Sequence, residues 1–94
     1  MIEGSDTCRI DVWLWRARFF KTRAMAGDFV GAGRVRLFRN GAESRPDKAS
    51  RLVRPGDELV FGIGGRVVSL RIFATGERRG PASEARGLYD LVDS

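Results

Sequence analysis

The chain has 94 residues, room for one small domain rather than two, and too little surplus core for a large enclosed active site. It has no histidine and one cysteine, Cys8, which argues against a zinc site, an internal disulfide framework and the commonest acid–base chemistry, and suits a reducing, cytoplasmic setting. The 17 Lys and Arg and 12 Asp and Glu are unevenly spread: residues 9–54 carry a net +8 and residues 55–94 a net −1, so the first block is expected to meet a polyanion.

In chain order, residues 1–8 read as a flexible tail with neither the basic start nor the apolar stretch of a secretory signal. Residues 9–94 read as a single domain with a C-terminal extension from about residue 76. Nowhere does an apolar run approach the ~18 residues that span a bilayer, so no membrane partner is expected. IDVWLWRARFF (10–20) is an expected helix: Ile10, Trp13, Leu14 and Ala17 recur at the i, i+3, i+4, i+7 spacing of a buried stripe. Arg9 and Arg16 share another side of it, and Arg18 and Lys21 follow at its C-terminal end, where cations suit the helix dipole. Trp15, Phe19 and Phe20 are candidates for stacking on an unpaired base, although packing at the rim of the core is the stronger expectation for each.

Thr22 has the chemistry of an N-cap for a second helix over about 23–32, closed by Gly33. Gly27 and Gly31 each cost that helix ~1 kcal/mol relative to Ala, so packing on the first helix must hold it. VRLFR (35–39) alternates into Asn40-Gly41, a strong signal for a tight hairpin. Leu52-Val53 is a short strand candidate, and Pro55-Gly56-Asp57 is a turn. ELVFGI (58–63), Gly64-Gly65 and RVVSLRIFAT (66–75) make a second antiparallel pair, in which Val68, Leu70, Ile72 and Ala74 alternate with Val67, Ser69, Arg71 and Phe73. Pro81 precedes an expected helix over 82–92, with Ala85, Leu88, Tyr89 and Val92 on one side. Two helices, then strands, then a short closing helix define an α+β fold.

Catalysis finds little support. Asp57-Glu58 reads as a turn carboxylate beside a strand start. Cys8 lacks an orienting base, and GIGG (62–65) lacks the Lys-Ser/Thr and the following helix of a phosphate loop. No catalytic residue, cofactor, metal or small-molecule substrate is therefore expected, and the chain is not read as an enzyme. Binding is the better reading. Arg9, Arg16, Arg18, Lys21 and Arg23 lie on or beside the two helices, Arg34 and Arg36 by the following strand, and Arg45, Lys48 and Arg51 after the hairpin turn. Folded together, these groups can line one surface for RNA phosphates, with the Thr22 hydroxyl and the neighbouring helix N–H groups taking one more. If ~5–7 phosphates are neutralised, log K falls against log salt with a slope of roughly −3.5 to −6.

Arg9-Ile10-Asp11, Leu14, Thr22-Arg23, Ala26, Phe29-Val30, Gly33-Arg34-Val35, Asn40-Gly41 and Pro55-Gly56-Asp57 resemble, in order and spacing, the αL RNA-binding motif first described in small-subunit ribosomal protein four. RIDVWLWRARFFKTRA, NGAESRPDK and ERRGPASEARGLYDL extend the resemblance to the heat shock protein 15 family, bacterial proteins that bind the large ribosomal subunit. The resemblance implies a non-enzymatic, cytoplasmic RNA binder whose partners are ribosomal RNA and the large subunit, with peptidyl-tRNA as a further one, active in stress-linked rescue or recycling of subunits that hold a nascent chain. Val12 stands where members usually carry Lys, the strand before Asn40 is two residues longer than usual, and the Lys/Arg-rich tail of many members is not found before Ser94. Two other readings stay open: an RNA-targeting accessory to an RNA-modifying enzyme, and a DNA-binding helix pair. With no long apolar stripe in the sequence, a monomer is expected.

Overall fold

The computed structural model describes residues 6–92. Strand β1 (Cys8–Arg9) runs directly into helix α1 (Ile10–Arg16), and helix α2 (Arg23–Gly31) follows. The strands β2 (Val35–Arg39), β3 (Ala42–Ser44), β4 (Leu52–Val53), β5 (Glu58–Ile63) and β6 (Arg66–Ile72) come next. One turn of helix, α3 (Ala82–Ala85), and a 3-10 turn (Arg86–Leu88) lead to β7 (Tyr89–Leu91). A five-stranded antiparallel sheet has the order β3-β2-β5-β6-β7, and β1 and β4 make a separate two-stranded ribbon.

Period-two alternation makes one face of the sheet apolar. Val35, Leu37, Leu59, Phe61, Leu70 and Ile72 are buried, and Leu59 sits between Leu37 and Leu70 in register. Ile10, Trp13 and Leu14 from α1 and Ala26 and Val30 from α2 join these residues in one core cluster. Trp13 is fully buried, and its indole N–H donates to the Ala74 carbonyl at 2.9 Å, so the large side chain hides no unpaired donor. The tight turns follow their local chemistry. Asn40 and Gly41 have φ of 53° and 80°, the doubly left-handed turn that matches strand twist.

Gly27 lets α1, α2 and the loop after β3 come together: a Cβ there would stand 3.3 Å from the Ala49 Cβ and 3.8 Å from an Asp11 carboxylate oxygen. Gly31 has no such reason, because nothing lies within 4 Å of its would-be Cβ. Gly31→Ala should therefore raise stability by up to ~1 kcal/mol, which at that limit is a midpoint rise of roughly 4–8 °C in thermal melts. Gly27→Ala should show no such gain, since the tight contact with Ala49 offsets the helix preference.

Three expectations need correction. The first helix ends at Arg16 instead of running to residue 20. The Arg18 N–H donates to the Trp15 carbonyl and the Phe19 N–H to the Leu14 carbonyl, with Arg18 left-handed at φ 67°, a helix stop usually built on glycine. Leaving the helix lets two consecutive aromatic residues pack inward: Phe19 lies 5.4 Å from Phe61 and Phe20 lies 5.0 Å from Phe29, centroid to centroid. The helix expected over 82–92 stops after one turn, and Tyr89–Leu91 instead pairs with Leu70–Ile72 on the open edge of β6. Of the expected tail, residues 1–5 lie outside the described residues, while Cys8 pairs with Val53 in the small ribbon. Burial pushes the Cys8 thiol pKa up, outweighing the pull of Arg16. At mildly alkaline pH its alkylation by iodoacetamide should accordingly be slower than that of a free cysteine in a peptide.

Residues 73–80 lace the C-terminal end of α1 to the sheet. Arg16 donates to the carbonyls of Thr75 and Gly76 at 3.2 and 2.7 Å, and Arg18 to that of Gly80 at 2.7 Å. In return Arg79 donates to the Trp15 and Phe20 carbonyls, with its guanidinium 5.6 Å above the Trp15 ring. Helix ends leave carbonyls unsatisfied, and cations fit them.

Candidate RNA interface

A buried carboxylate organises the first basic surface. Asp11, 4 % exposed, accepts two hydrogen bonds from Arg9: Nε to Oδ1 at 3.1 Å and the terminal nitrogen to Oδ2 at 3.0 Å. Arg23, from the first turn of α2, approaches the same Oδ2 at 4.0 Å. Both arginine side chains remain about half exposed, and the bidentate pair fixes the position of Arg9.

The surrounding backbone closes this patch. Helix α1 has no side-chain cap, and its leading N–H groups find partners in the loop before β4. The Ile10 N–H donates to the Arg51 carbonyl at 2.8 Å and the Asp11 N–H to the Ala49 carbonyl at 3.3 Å. This anchors the segment carrying Lys48 and Arg51 beside Arg9, and Arg51 also reaches the Ser44 hydroxyl at 3.4 Å. On α2, Thr22 caps as its side chain predicts, its hydroxyl accepting the Met25 N–H at 3.0 Å. The N–H groups ahead of Met25 lie at an open, solvent-facing helix end, which favours anions.

The structure divides the predicted site residues. Arg9 and Arg23 meet at Asp11, Thr22 caps the helix that Arg23 opens, and the backbone that carries Lys48 and Arg51 is hydrogen-bonded to the start of α1. Lys21, Arg34 and Arg36 belong to a second region, next to grooves between the helices and the β5–β6 hairpin. Arg34 lies 5.0 Å above the Phe29 ring, and Arg36 is paired to Glu43 at 3.6 Å. Arg16 leaves the candidate surface, since its guanidinium is half-buried and committed to backbone carbonyls. Arg18 is exposed but tethered to the Gly80 carbonyl. Two contributors are absent from the predicted set. Asp11 is one, and a lone acid two residues after Arg9 in a basic block is the signal for it. Arg66, which joins the second region from the β5–β6 hairpin, carries no comparable signal.

Among the described residues, no group of three or more His, Cys, Asp or Glu side chains gathers to hold a metal ion, and no helix is long and apolar enough to cross a membrane.

A helix pair laid on one face of an antiparallel sheet, with cations at the N-terminal ends of both helices, defines an α+β domain of the αL type. The chain belongs to the heat shock protein 15 family. Heat shock protein 15 of Escherichia coli strain K12 is 40 % identical over 82 residues, which is 87 % of this chain. The match spans only 58 % of that protein's length. A solved structure, the trimeric heat shock protein 15 of Vibrio cholerae, superposes with a TM-score of 0.78 at 32 % identity, over 92 % of this chain and 82 % of that one. The RQC P-site tRNA stabilizing factor of Listeria monocytogenes is 28 % identical over 94 % of this chain and 89 % of its own length. No protein-family profile matches the chain.

Proposed function

We propose that this protein binds ribosomal RNA of the large subunit, in the cytoplasm, and acts without catalysis in the rescue or recycling of subunits that retain tRNA and a nascent chain. The observation that carries the reading is the Arg9–Asp11–Arg23 cluster: one guanidinium held in bidentate fashion by a buried carboxylate and a second 4.0 Å from the same oxygen, both side chains about half exposed. Such an arrangement suits phosphates presented at fixed separations, as in folded RNA, better than a diffuse polyanion. Membership of the heat shock protein 15 family and a relative named for stabilising P-site tRNA supply the ribosomal context.

The mechanism is backbone neutralisation with shape recognition. Arg9, Arg23, Lys48 and Arg51 contact phosphates, and the open end of α2 beside Thr22 takes another. Peptidyl-tRNA on the subunit is the natural second ligand. One chain suffices as the binding unit, and the mass of the bound species tests this against the trimer of the Vibrio cholerae relative. Co-sedimentation with purified subunits on a sucrose gradient tests the whole reading. Selective migration with free large subunits is expected. Migration with neither subunit, or equally with both, overturns it.

A further inference from the structure

The cations that do not join the Asp11 cluster border an apolar trough. It is a groove of ≈ 750 Å³ between α2 and the β5–β6 hairpin, with Lys21, Arg34 and Arg66 on its rim. It shares Arg34, Gly62 and Val67 with a second groove of ≈ 440 Å³ that Arg36 and Arg45 border, so the two adjoin. No carboxylate lines either part. Neither Lys21 nor Arg66 has an ion-pair partner among the described residues, and Arg34 is engaged only with a ring face.

The floor is unusual for a surface of this charge. Met25 is 50 % exposed and Val67 76 % exposed, on opposite sides of the trough. In the same groove the Arg34 guanidinium lies 5.0 Å from the centroid of the half-buried Phe29 ring, a cation-topped aromatic platform. Flat π-surfaces with apolar flanks accept nucleobases, and cations along the rim accept the phosphates between them. Duplex RNA buries its base faces in its own stack and has no use for such a floor.

We infer that this trough binds a short unpaired RNA segment, its bases on Met25, Val67 and the Arg34–Phe29 platform and its phosphates on Lys21, Arg66 and the neighbouring Arg36 and Arg45. The inference rests on the RNA-binding reading and adds a second subsite to it: the Asp11 cluster takes the backbone of folded RNA, and the trough takes an adjoining single strand.

The test uses fluorescence anisotropy with an RNA hairpin in three forms: blunt, with a single-stranded overhang of about six nucleotides, and with the same overhang made abasic. The wild-type protein should bind the base-bearing overhang about tenfold more tightly than the blunt hairpin, the effect of one or two stacked bases. The abasic overhang should lose most of that gain. The triple variant Met25→Ser, Arg66→Gln, Val67→Ser should lose the gain, binding the blunt and the base-bearing overhanging hairpins equally. All three side chains are at least half exposed or on the hairpin surface, so the fold should survive, and a thermal melt checks it. Equal binding of blunt and overhanging RNA overturns the inference, as does a gain that survives abasic substitution or the triple variant. So does an acidic amphipathic peptide that occupies the trough while the overhang does not compete with it. Failure of every hairpin to bind would instead defeat the RNA-binding reading itself.

Discussion

Replacing Asp57 with Ala is expected to lower the unfolding free energy by about 3 kcal/mol, a fall in thermal midpoint of roughly 12–24 °C. Asp57 is 1 % exposed, and its carboxylate holds three donors. Arg39 gives Nε to Oδ1 at 2.8 Å and a terminal nitrogen to Oδ2 at 2.7 Å, and the Arg54 N–H reaches Oδ2 at 3.0 Å. The Asp57 carbonyl also accepts the Ile72 N–H at 2.8 Å, so the residue ties β2, the turn before β5 and the end of β6 at one point. Removing one member of a buried ion pair strands the other. Here the Arg39 side chain is 31 % exposed and can recover some water, which places the cost near the lower end of the ~3–5 kcal/mol seen for fully buried pairs. The hydrogen bond to Asp57 raises the Arg39 pKa. A raised folded-state value keeps that contribution complete below the ordinary arginine range and loses it only as pH rises beyond it, so near neutrality the guanidinium stays charged. Asp57→Asn should cost less, because one acceptor survives. A loss under about 1 kcal/mol for the alanine variant would mean that water replaces the carboxylate without penalty.

Much of this fold was legible because local chemistry decided it. Thr22 and Gly33 bracket α2, Asn40-Gly41 and Gly64-Gly65 turn their hairpins, and the β6 alternation matches its burial, with Leu70 and Ile72 inside and Arg71 and Phe73 outside. What escaped was decided at long range. No residue of WLWRARFF breaks a helix, and α1 ends where it does because Phe19 and Phe20 find partners on β5 and α2. GLYDL keeps a helical spacing of apolar residues, yet the unpaired edge of β6 claims it as a strand. Cys8 is drawn into the domain by pairing with Val53, far along the chain. The site divides in the same way. Its cations were visible by count, but their availability was not. Arg16 and Arg23 look alike in sequence, and only the carbonyls of Thr75 and Gly76 show that the first is part of the scaffold.

Reversing Arg23 and Lys48 together to Glu should weaken RNA binding roughly a hundredfold, taking each lost charge-assisted contact at ~1.5 kcal/mol. Two fewer phosphate contacts should also flatten the salt dependence by about 1.4–1.8 in slope. The fold should hold, since both side chains are exposed and Arg23 makes only its 4.0 Å approach to Asp11. A uniform basic surface would also lose affinity on this change, so the sharper test is Asp11→Asn. That substitution removes a negative charge from the middle of the patch and leaves every cation in place. If attraction depends on net charge alone, binding tightens a few-fold. If Asp11 positions Arg9 and Arg23, the guanidiniums gain rotamer freedom that must be lost again on binding, and affinity falls by about five- to tenfold instead. The sign of that change, measured on a variant whose melting curve is still cooperative, decides whether the patch is merely positive or a preformed phosphate clamp. The bidentate geometry at 3.0–3.1 Å argues for the clamp.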